Sequence, residues 1–154
     1  MIIRNFKKED FPFVLEMVRN LARHHHQLDP FYRTPEEMKD LKENIRGWLK
    51  ERKGKVLIVE IDNKIVGYIR GSFKKIPYYA RENELIATVD DIFIKKEYRL
   101  QTIGKNLFDE LLKWFKSKKA TALMLNVDVR NESAIKFWEK MGFEKFVLRM
   151  KKEI

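Results

Sequence analysis

The chain has 154 residues, which is enough for one domain with a hydrophobic core but not for two. It contains no cysteine, which excludes a disulfide framework, a thiolate zinc site and a cysteine nucleophile. No stretch approaches the ~20 apolar residues that a membrane-spanning helix needs, so we expect one cytoplasmic domain over residues 1–154 with no membrane partner.

The net charge is +10, from 33 Lys and Arg against 23 Asp and Glu. Three interpretations stay open: a heavily charged surface of the thermophile type, an anionic ligand such as a phosphorylated cofactor, or nucleic acid. The basic residues form short clusters with acids among them, and no single basic helix stands out. The charge pattern is therefore only weak support for a nucleic-acid partner.

The first third of the chain predicts a strand and two helices. Residues 2–6 are typical of a short strand, and Asp10 can cap the helix that follows. Residues 34–37, Thr-Pro-Glu-Glu, form a capping box with proline at the first helical position. We expect this second helix to continue to about Arg52.

Three strands are predicted next. Residues 56–61 and 64–73 flank Asp62-Asn63, which favours a hairpin with a tight turn. After a polar loop, residues 85–94 are apolar except for Thr88 and the pair Asp90-Asp91, which indicates a central strand covered on both faces. Adjacent side chains on a strand should point to opposite faces.

The last third predicts a helix, a strand, a second helix and a final extended segment. Apolar residues recur at helical spacing up to Ser117, and residues 120–129 alternate as in a strand. Asn131 can cap a helix that Gly142 terminates, and residues 143–152 follow as the last strand. The predicted fold class is mixed α/β, in the order β-α-α-β-β-β-α-β-α-β.

Residues 89–105 contain the most informative pattern: a buried strand, a turn with basic and small residues, and a helix start. The unpaired N–H groups and the dipole of a helix N-terminus attract phosphate. Gly104 would let a phosphate approach the backbone, and Arg99 and Lys105 add positive charge. These residues can form a pyrophosphate site, although many helix starts with basic residues bind nothing.

This stretch resembles the acetyl-CoA signature of GNAT-superfamily acyltransferases, an apolar strand end followed by Q/R-x-x-G-x-G/A, matched at Arg99, Thr102 and Gly104. Residues 131–143 resemble the second signature, N-x-x-A-x-x-F-Y-x-x-x-G-F. The order of the elements also matches along essentially the whole chain. The resemblance implies a central mixed, mostly antiparallel sheet of six or seven strands with about four helices.

The resemblance also implies an N-acetyltransferase that transfers acetyl directly from acetyl-CoA to a primary amine of a small molecule, a polyamine-like compound or a protein. Asp90 occupies the frequent position of the catalytic base, and backbone N–H groups near Ile92 and Ile94 would polarise the thioester carbonyl. No metal is implied, and a homodimer is the commonest assembly. The residues expected to bind the cofactor are Ile92, Phe93, Ile94, Arg99, Leu100, Gln101, Thr102, Ile103, Gly104, Lys105, Asn131, Phe137 and Trp138.

Two positions depart from the family pattern. Thr102 stands where the first glycine is usual, and Trp138 stands where many members have a tyrosine that protonates the leaving thiolate. Indole cannot act as that acid, and a tyrosine at 32, 78 or 79 could replace it.

Several alternatives stay open. Asp90 could form a salt bridge only, Asn131 could be a plain helix cap, and Trp138 could be a core residue. The chain could also be a non-catalytic acyl-CoA-binding domain, or a basic nucleic-acid-binding protein.

The run His24-His25-His26 does not predict a metal site. Successive residues on a helix point ~100° apart, so the three rings cannot converge on one ion. We expect these histidines to face solvent or the acceptor cleft.

Overall fold

The computed structural model describes residues 1–74, 77, 80–99 and 102–154. Within these ranges the chain forms a mixed α/β fold, and the predicted fold class is confirmed. The elements are β1 (Ile2–Asn5), α1 (Phe11–Leu28), α2 (Leu41–Gly47), β2 (Gly54–Ile61), β3 (Lys64–Phe73), β4 (Ile86–Ile94), α3 (Ile103–Ser117), β5 (Ala122–Met124) and α4 (Glu132–Lys140).

The strands form one sheet in the order β1-β2-β3-β4-β5. Neighbouring strands are antiparallel except for β4 and β5, which are parallel and joined by the crossover helix α3. The expected count of six or seven strands is too high, because the described part of the chain has five. Residues 143–152 adopt no strand there, and β5 ends at Met124 instead of continuing to residue 129.

Each face of the sheet is covered by its own pair of helices. On one face, α1 and α2 pack on a core that includes Val14, Ile45 and Tyr68. On the other face, α3 and α4 pack on a core that includes Leu111 and Phe115. The sheet is therefore a middle layer, and its two faces are distinct environments for a side chain on β4.

The second predicted helix is much shorter than expected. The capping box forms, with the Thr34 N–H donating to Glu37 Oε2 at 2.7 Å, but it begins only a 3-10 turn, Pro35–Glu37. The backbone then leaves the helical region at Met38 (φ −87°, ψ 71°), and α2 follows as a separate helix. Leu41 and Ile45 are buried in the core, so tertiary packing sets the direction of α2.

Two local predictions are confirmed by backbone angles. Asp62 and Asn63 have φ values of 49° and 60°, the left-handed conformation that a two-residue hairpin turn requires. Gly142 has a φ of 89° and follows the end of α4, as expected for a glycine that terminates a helix.

Candidate active site

One edge of β4 is open along most of its length. β5 pairs with β4 only from Ile86 to Thr88, and no other described strand covers the edge beyond that point. The Lys95 N–H donates to the Val66 carbonyl of β3 at 2.9 Å. Because backbone groups alternate along a strand, the N–H groups of Ile92 and Ile94 point to the open edge. This orientation is the one that the predicted polarising role requires.

Helix α3 begins directly against this open edge. Gly104, in its first turn, is buried, and a Cβ built there would lie 3.2 Å from Phe137 Cε2 and 3.3 Å from Ile94 Cδ1. The absence of a side chain thus lets α3 approach β4 and α4 closely. Thr102 is exposed and its side chain makes no capping hydrogen bond, so its hydroxyl is available to a ligand. The unpaired N–H groups of the first turn favour an anion nearby.

The basic residues of the predicted phosphate site differ in their surroundings. Arg99 is exposed, donates from Nε to the Ile94 carbonyl at 2.8 Å, and holds its guanidinium carbon 5.5 Å from the centre of the Phe93 ring. Lys105 is exposed and pairs with Asp109 one turn later, at 2.5 Å. Arg99 is therefore the cation at the open edge. Leu100 and Gln101 lie outside the described residues.

The α4 residues of the second signature have structural contacts of their own. Asn131 Oδ1 accepts a hydrogen bond from the Ala134 N–H at 3.2 Å, so the predicted helix cap is confirmed. Trp138 is only 6% exposed. Its ring lies edge-to-face against Phe108 at 5.5 Å and Phe143 at 5.4 Å between centroids. Trp138 is thus a core residue, and the buried Ile103 belongs to the same core.

A β-bulge in β4 changes where its two acids point. The register passes from Arg70↔Asp91 to Gly71↔Val89, so Asp90 is an extra residue on β4. Asp90 bonds to the Arg70 side chain, and Asp91 lines the same cleft as Arg70. The expectation that the two acids occupy opposite faces is therefore wrong, because the bulge interrupts the alternation of side chains.

Asp90 is held by several donors. Its Oδ2 accepts from Arg70 Nη1 and from Ser72 Oγ, both at 2.6 Å, and its Oδ1 lies 2.5 Å from Lys74 Nζ. Arg70 Nη2 also donates to Glu51 at 2.7 Å. The salt bridge that was one of the two interpretations of Asp90 is therefore present.

Asp91 has a different environment. Burial raises the pKa of its carboxyl group above the usual value, and Arg70 opposes that shift. The Tyr68 hydroxyl, on the neighbouring strand, is fully buried, and burial also raises its pKa. Asp91 is therefore the acid of the pair that borders open space and whose pKa burial raises.

That open space is a cleft of about 900 Å³ between α1, α2 and the middle of the sheet. His25 lines this cleft, in line with the expectation that the histidines face solvent or a cleft. Burial lowers the pKa of the His25 ring below 6.5. His25 is thus neutral at pH 7. The lining includes His25, Tyr32, Trp48, Glu51, Arg70 and Asp91.

An ion cluster that the sequence did not predict holds one wall of the cleft. Arg130 Nη1 lies 2.6 Å from Asp29 Oδ2, and its Nη2 lies 2.8 Å from Asp128 Oδ2. The Tyr32 hydroxyl donates to Asp128 at 2.8 Å. The loop after α1 is thereby joined to the segment after β5. Burial and Asp128 raise the pKa of Tyr32, which makes Tyr32 a poor acid; Tyr78 and Tyr79 lie outside the described residues.

Within the described ranges, no three His, Asp or Glu side chains come together as a metal-binding group. Among the helices that the structure describes, none is long and apolar enough to cross a bilayer.

Comparison with known proteins identifies the family of the chain. The model of the acetyltransferase (GNAT) family matches residues 19–143. An uncharacterized N-acetyltransferase of Methanocaldococcus jannaschii is 27% identical over 157 residues. The match covers 99% of this chain and 66% of that relative, so the chain spans just under two thirds of the relative's length.

Two solved structures share the fold. The tetramutant of the BH1408 protein from Bacillus halodurans has a TM-score of 0.88 at 20% identity and matches over 100% of both chains. The aminoglycoside N-acetyltransferase AAC(6')-Iy, solved in complex with CoA, has a TM-score of 0.74 at 16% identity, over 99% of this chain and 100% of that one. The resemblance inferred from the two signatures is confirmed, and the chain belongs to the acetyltransferase (GNAT) family.

Proposed function

We propose that residues 1–154 form a single N-acetyltransferase domain that transfers acetyl from acetyl-CoA directly to a primary amine. The observation that carries the proposal is the open edge of β4 beside the start of α3. Acetyl-CoA fits this place, because the Ile92 and Ile94 N–H groups can donate to the thioester carbonyl. The α3 N-terminus and Arg99 supply positive potential for the pyrophosphate.

The reaction needs one bond to form and one to break. The neutral amine nitrogen attacks the carbonyl carbon of the thioester, the new C–N bond forms, and the C–S bond breaks to release CoA thiolate. The amine's proton passes to a base of the protein. Thiols titrate near ~8.5, so the thiolate can leave without a dedicated acid and take a proton from water.

The bulge acids are the proposed proton acceptors, and the two have different roles. Asp91 borders the cleft and has a raised pKa, so we assign it the direct contact with the acceptor amine. Asp90 is the base predicted from the family position. Because Asp90 pairs with Arg70 and Lys74, it could take the proton only through a water molecule. If it does not, its role is to hold the Arg70 side chain in place.

The cleft between α1 and α2 is the proposed acceptor site. Glu51 and Asp91 supply acidic groups for a cationic amine, and Trp48 supplies an aromatic wall. One enzyme that shares the fold is named for an aminoglycoside acceptor. We therefore propose a small amine with more than one basic group, ahead of a protein amine. A homodimer is also proposed, and the cytoplasmic location and thermophile origin stay predictions.

The proposal is tested by measuring CoA thiol release from acetyl-CoA with a panel of small polyamines, aminoglycosides and peptides with free N-termini. Turnover on at least one amine is expected. CoA binding by calorimetry with no turnover on any amine would instead identify a non-catalytic acyl-CoA-binding domain. Salt-dependent retention on DNA or RNA without CoA affinity would identify a nucleic-acid-binding protein.

Two variants compare the acids. Asp91→Asn should lower kcat by roughly 10²-fold or more, with partial recovery at higher pH, where more of the amine is neutral. Asp90→Asn should lower kcat less if Asp90 only fixes Arg70. Glu110→Gln, which removes an exposed acid paired with Lys113 on α3, is the control. A larger, pH-dependent loss in Asp90→Asn than in Asp91→Asn would return the base role to Asp90.

A further inference from the structure

Arg130, in the segment between β5 and α4, joins two carboxylates from distant parts of the chain. Its Nε donates to Asp128 Oδ1 and its Nη2 donates to Asp128 Oδ2, both at 2.8 Å. Its Nη1 donates to Asp29 Oδ2 at 2.6 Å. A guanidinium that meets a carboxylate with two parallel N–H groups fixes its orientation as well as its position. Asp29 and Asp128 are therefore held at a set distance from each other.

The loop after α1 closes these contacts into a continuous hydrogen-bond network. Asp29 Oδ1 accepts from the Phe31 N–H, and the Asp29 carbonyl accepts from the Tyr32 N–H, both at 3.0 Å. The Tyr32 hydroxyl donates in turn to Asp128 Oδ2 at 2.8 Å. Tyr32 is thus held at its backbone through Asp29 and at its hydroxyl through Asp128.

Two histidines of the run 24–26 support the same tyrosine from α1. The centre of the His25 ring lies 5.5 Å from the centre of the Tyr32 ring. His26 Nδ1 lies 2.7 Å from the Tyr32 carbonyl oxygen. These contacts and the Arg130 network act on different atoms of Tyr32, so together they hold its side chain in one orientation.

The supported tyrosine faces the cleft of about 900 Å³, whose lining includes Tyr32 and His25. Asp29, Asp128 and Arg130 are not among the residues that line this cleft. The charged members of the network therefore lie behind the wall that Tyr32 forms. They would act on a molecule in the cleft through Tyr32 and not by touching it.

We propose that Arg130 is a positioning residue for the amine acceptor, because it holds Asp29 and Asp128 together and so keeps Tyr32 in place as a wall of the acceptor cleft. This inference rests on the function proposed for that cleft. An aromatic face attracts a cationic amine, and a side chain that is already ordered loses less entropy on binding. The effect of Arg130 is on amine affinity, which raises KM without lowering kcat when it is lost.

The first experiment compares Arg130→Ala with Lys113→Ala, which removes the cation of another exposed ion pair, with Glu110 on α3. Arg130→Ala should raise the KM of the best polyamine in the panel by roughly tenfold. Its kcat should change by less than about twofold, and the Kd of acetyl-CoA should not change. Lys113→Ala should alter none of these. A loss of kcat at constant KM, or a loss explained by weaker acetyl-CoA binding, overturns the proposal.

Tyr32→Phe covers the case in which Arg130→Ala does not fold. It removes only the hydroxyl that donates to Asp128 and leaves the aromatic ring. A raised amine KM at unchanged kcat is expected, and an unchanged KM contradicts the proposal. Where both variants fold, the double variant should have the KM of Arg130→Ala alone, because both changes break one network. Effects that multiply would show that the two residues act independently.

A binding measurement separates this inference from the proposed function. Calorimetry on the CoA-saturated protein needs no acetyl transfer; its probe is the best polyamine of the panel, or spermidine if no amine is turned over. Arg130→Ala should weaken binding by the same factor as it raises KM. Binding without turnover in the wild-type chain counts against the proposed function alone. Equal affinities of wild type and variant count against Arg130 alone, and a wild-type chain that binds no amine overturns both.

Discussion

Replacing Trp138 with alanine tests whether this residue stabilises the core or contacts the cofactor. Burying a tryptophan removes roughly 150–250 Å² from water, which at about 25 cal/mol per Å² amounts to roughly 4–6 kcal/mol. Replacing a buried aromatic residue with alanine lowers the free energy of unfolding by about 3–5 kcal/mol. With three aromatic neighbours lost at once, we expect the free energy of unfolding to fall by about 4 kcal/mol. The Tm should fall by roughly 8–16 °C.

The assay is urea unfolding followed by far-UV circular dichroism, because the substitution removes a fluorophore. Phe13→Ala, at an exposed position, should change stability by less than about 0.5 kcal/mol. Trp138→Tyr restores the hydroxyl of the family position but buries it, so it should not raise the acetylation rate. A loss of stability below about 1 kcal/mol in Trp138→Ala, together with a large loss of CoA affinity, would refute the core role.

Three further predictions follow from single contacts. Gly71→Ala should lower the free energy of unfolding by about 1–3 kcal/mol, because the new Cβ would collide with Phe115 Cζ. Gly47→Ala has open space around its Cβ and should raise the free energy of unfolding by up to ~1 kcal/mol. Urea unfolding measures both. Hydrogen bonds from Arg130 lower the pKa of Asp128, so Asp128 stabilises the fold above its unfolded pKa of ~3.9 and loses that effect as pH falls through its folded pKa. The Tm gap between wild type and Asp128→Asn should therefore narrow from pH 7 to pH 3, and a constant gap would contradict this. Arg99→Ala should weaken CoA binding by roughly tenfold or more in calorimetry, without a change in Tm, and an unchanged Kd would remove Arg99 from the site.

The parts of the fold that depend on local chemistry could be predicted from the sequence. The hairpin turn at Asp62-Asn63 and the helix end at Gly142 depend on backbone conformations that few residues adopt. Asn131 caps its helix through an N–H three residues later. Each of these features is decided within a few residues, where sequence patterns are informative.

The parts that could not be predicted depend on distant contacts. The predicted second helix is interrupted at Met38, and the position of α2 depends on Leu41 and Ile45, which pack in a core built by other elements. The bulge at Asp90 depends on the register of β3, and the Arg130–Asp29 pair joins residues 101 positions apart. The final strand was expected from residues 143–152, which adopt no strand, because a local sequence pattern does not supply a strand to pair with.

The bulge also decides which face of the sheet each β4 side chain occupies. Upstream of Asp90, side chains such as Val89 face α3. One extra residue shifts the alternation, so that Ile92 and Ile94 also face α3, while Asp91 borders the cleft and Asp90 lies beside Arg70. Deleting Asp90 would restore regular alternation and leave Asp91 as the one acid of the pair on the cleft face. The proposed proton acceptor and the amides proposed to meet the thioester thus lie on the same strand, next to one shift in its register against β3.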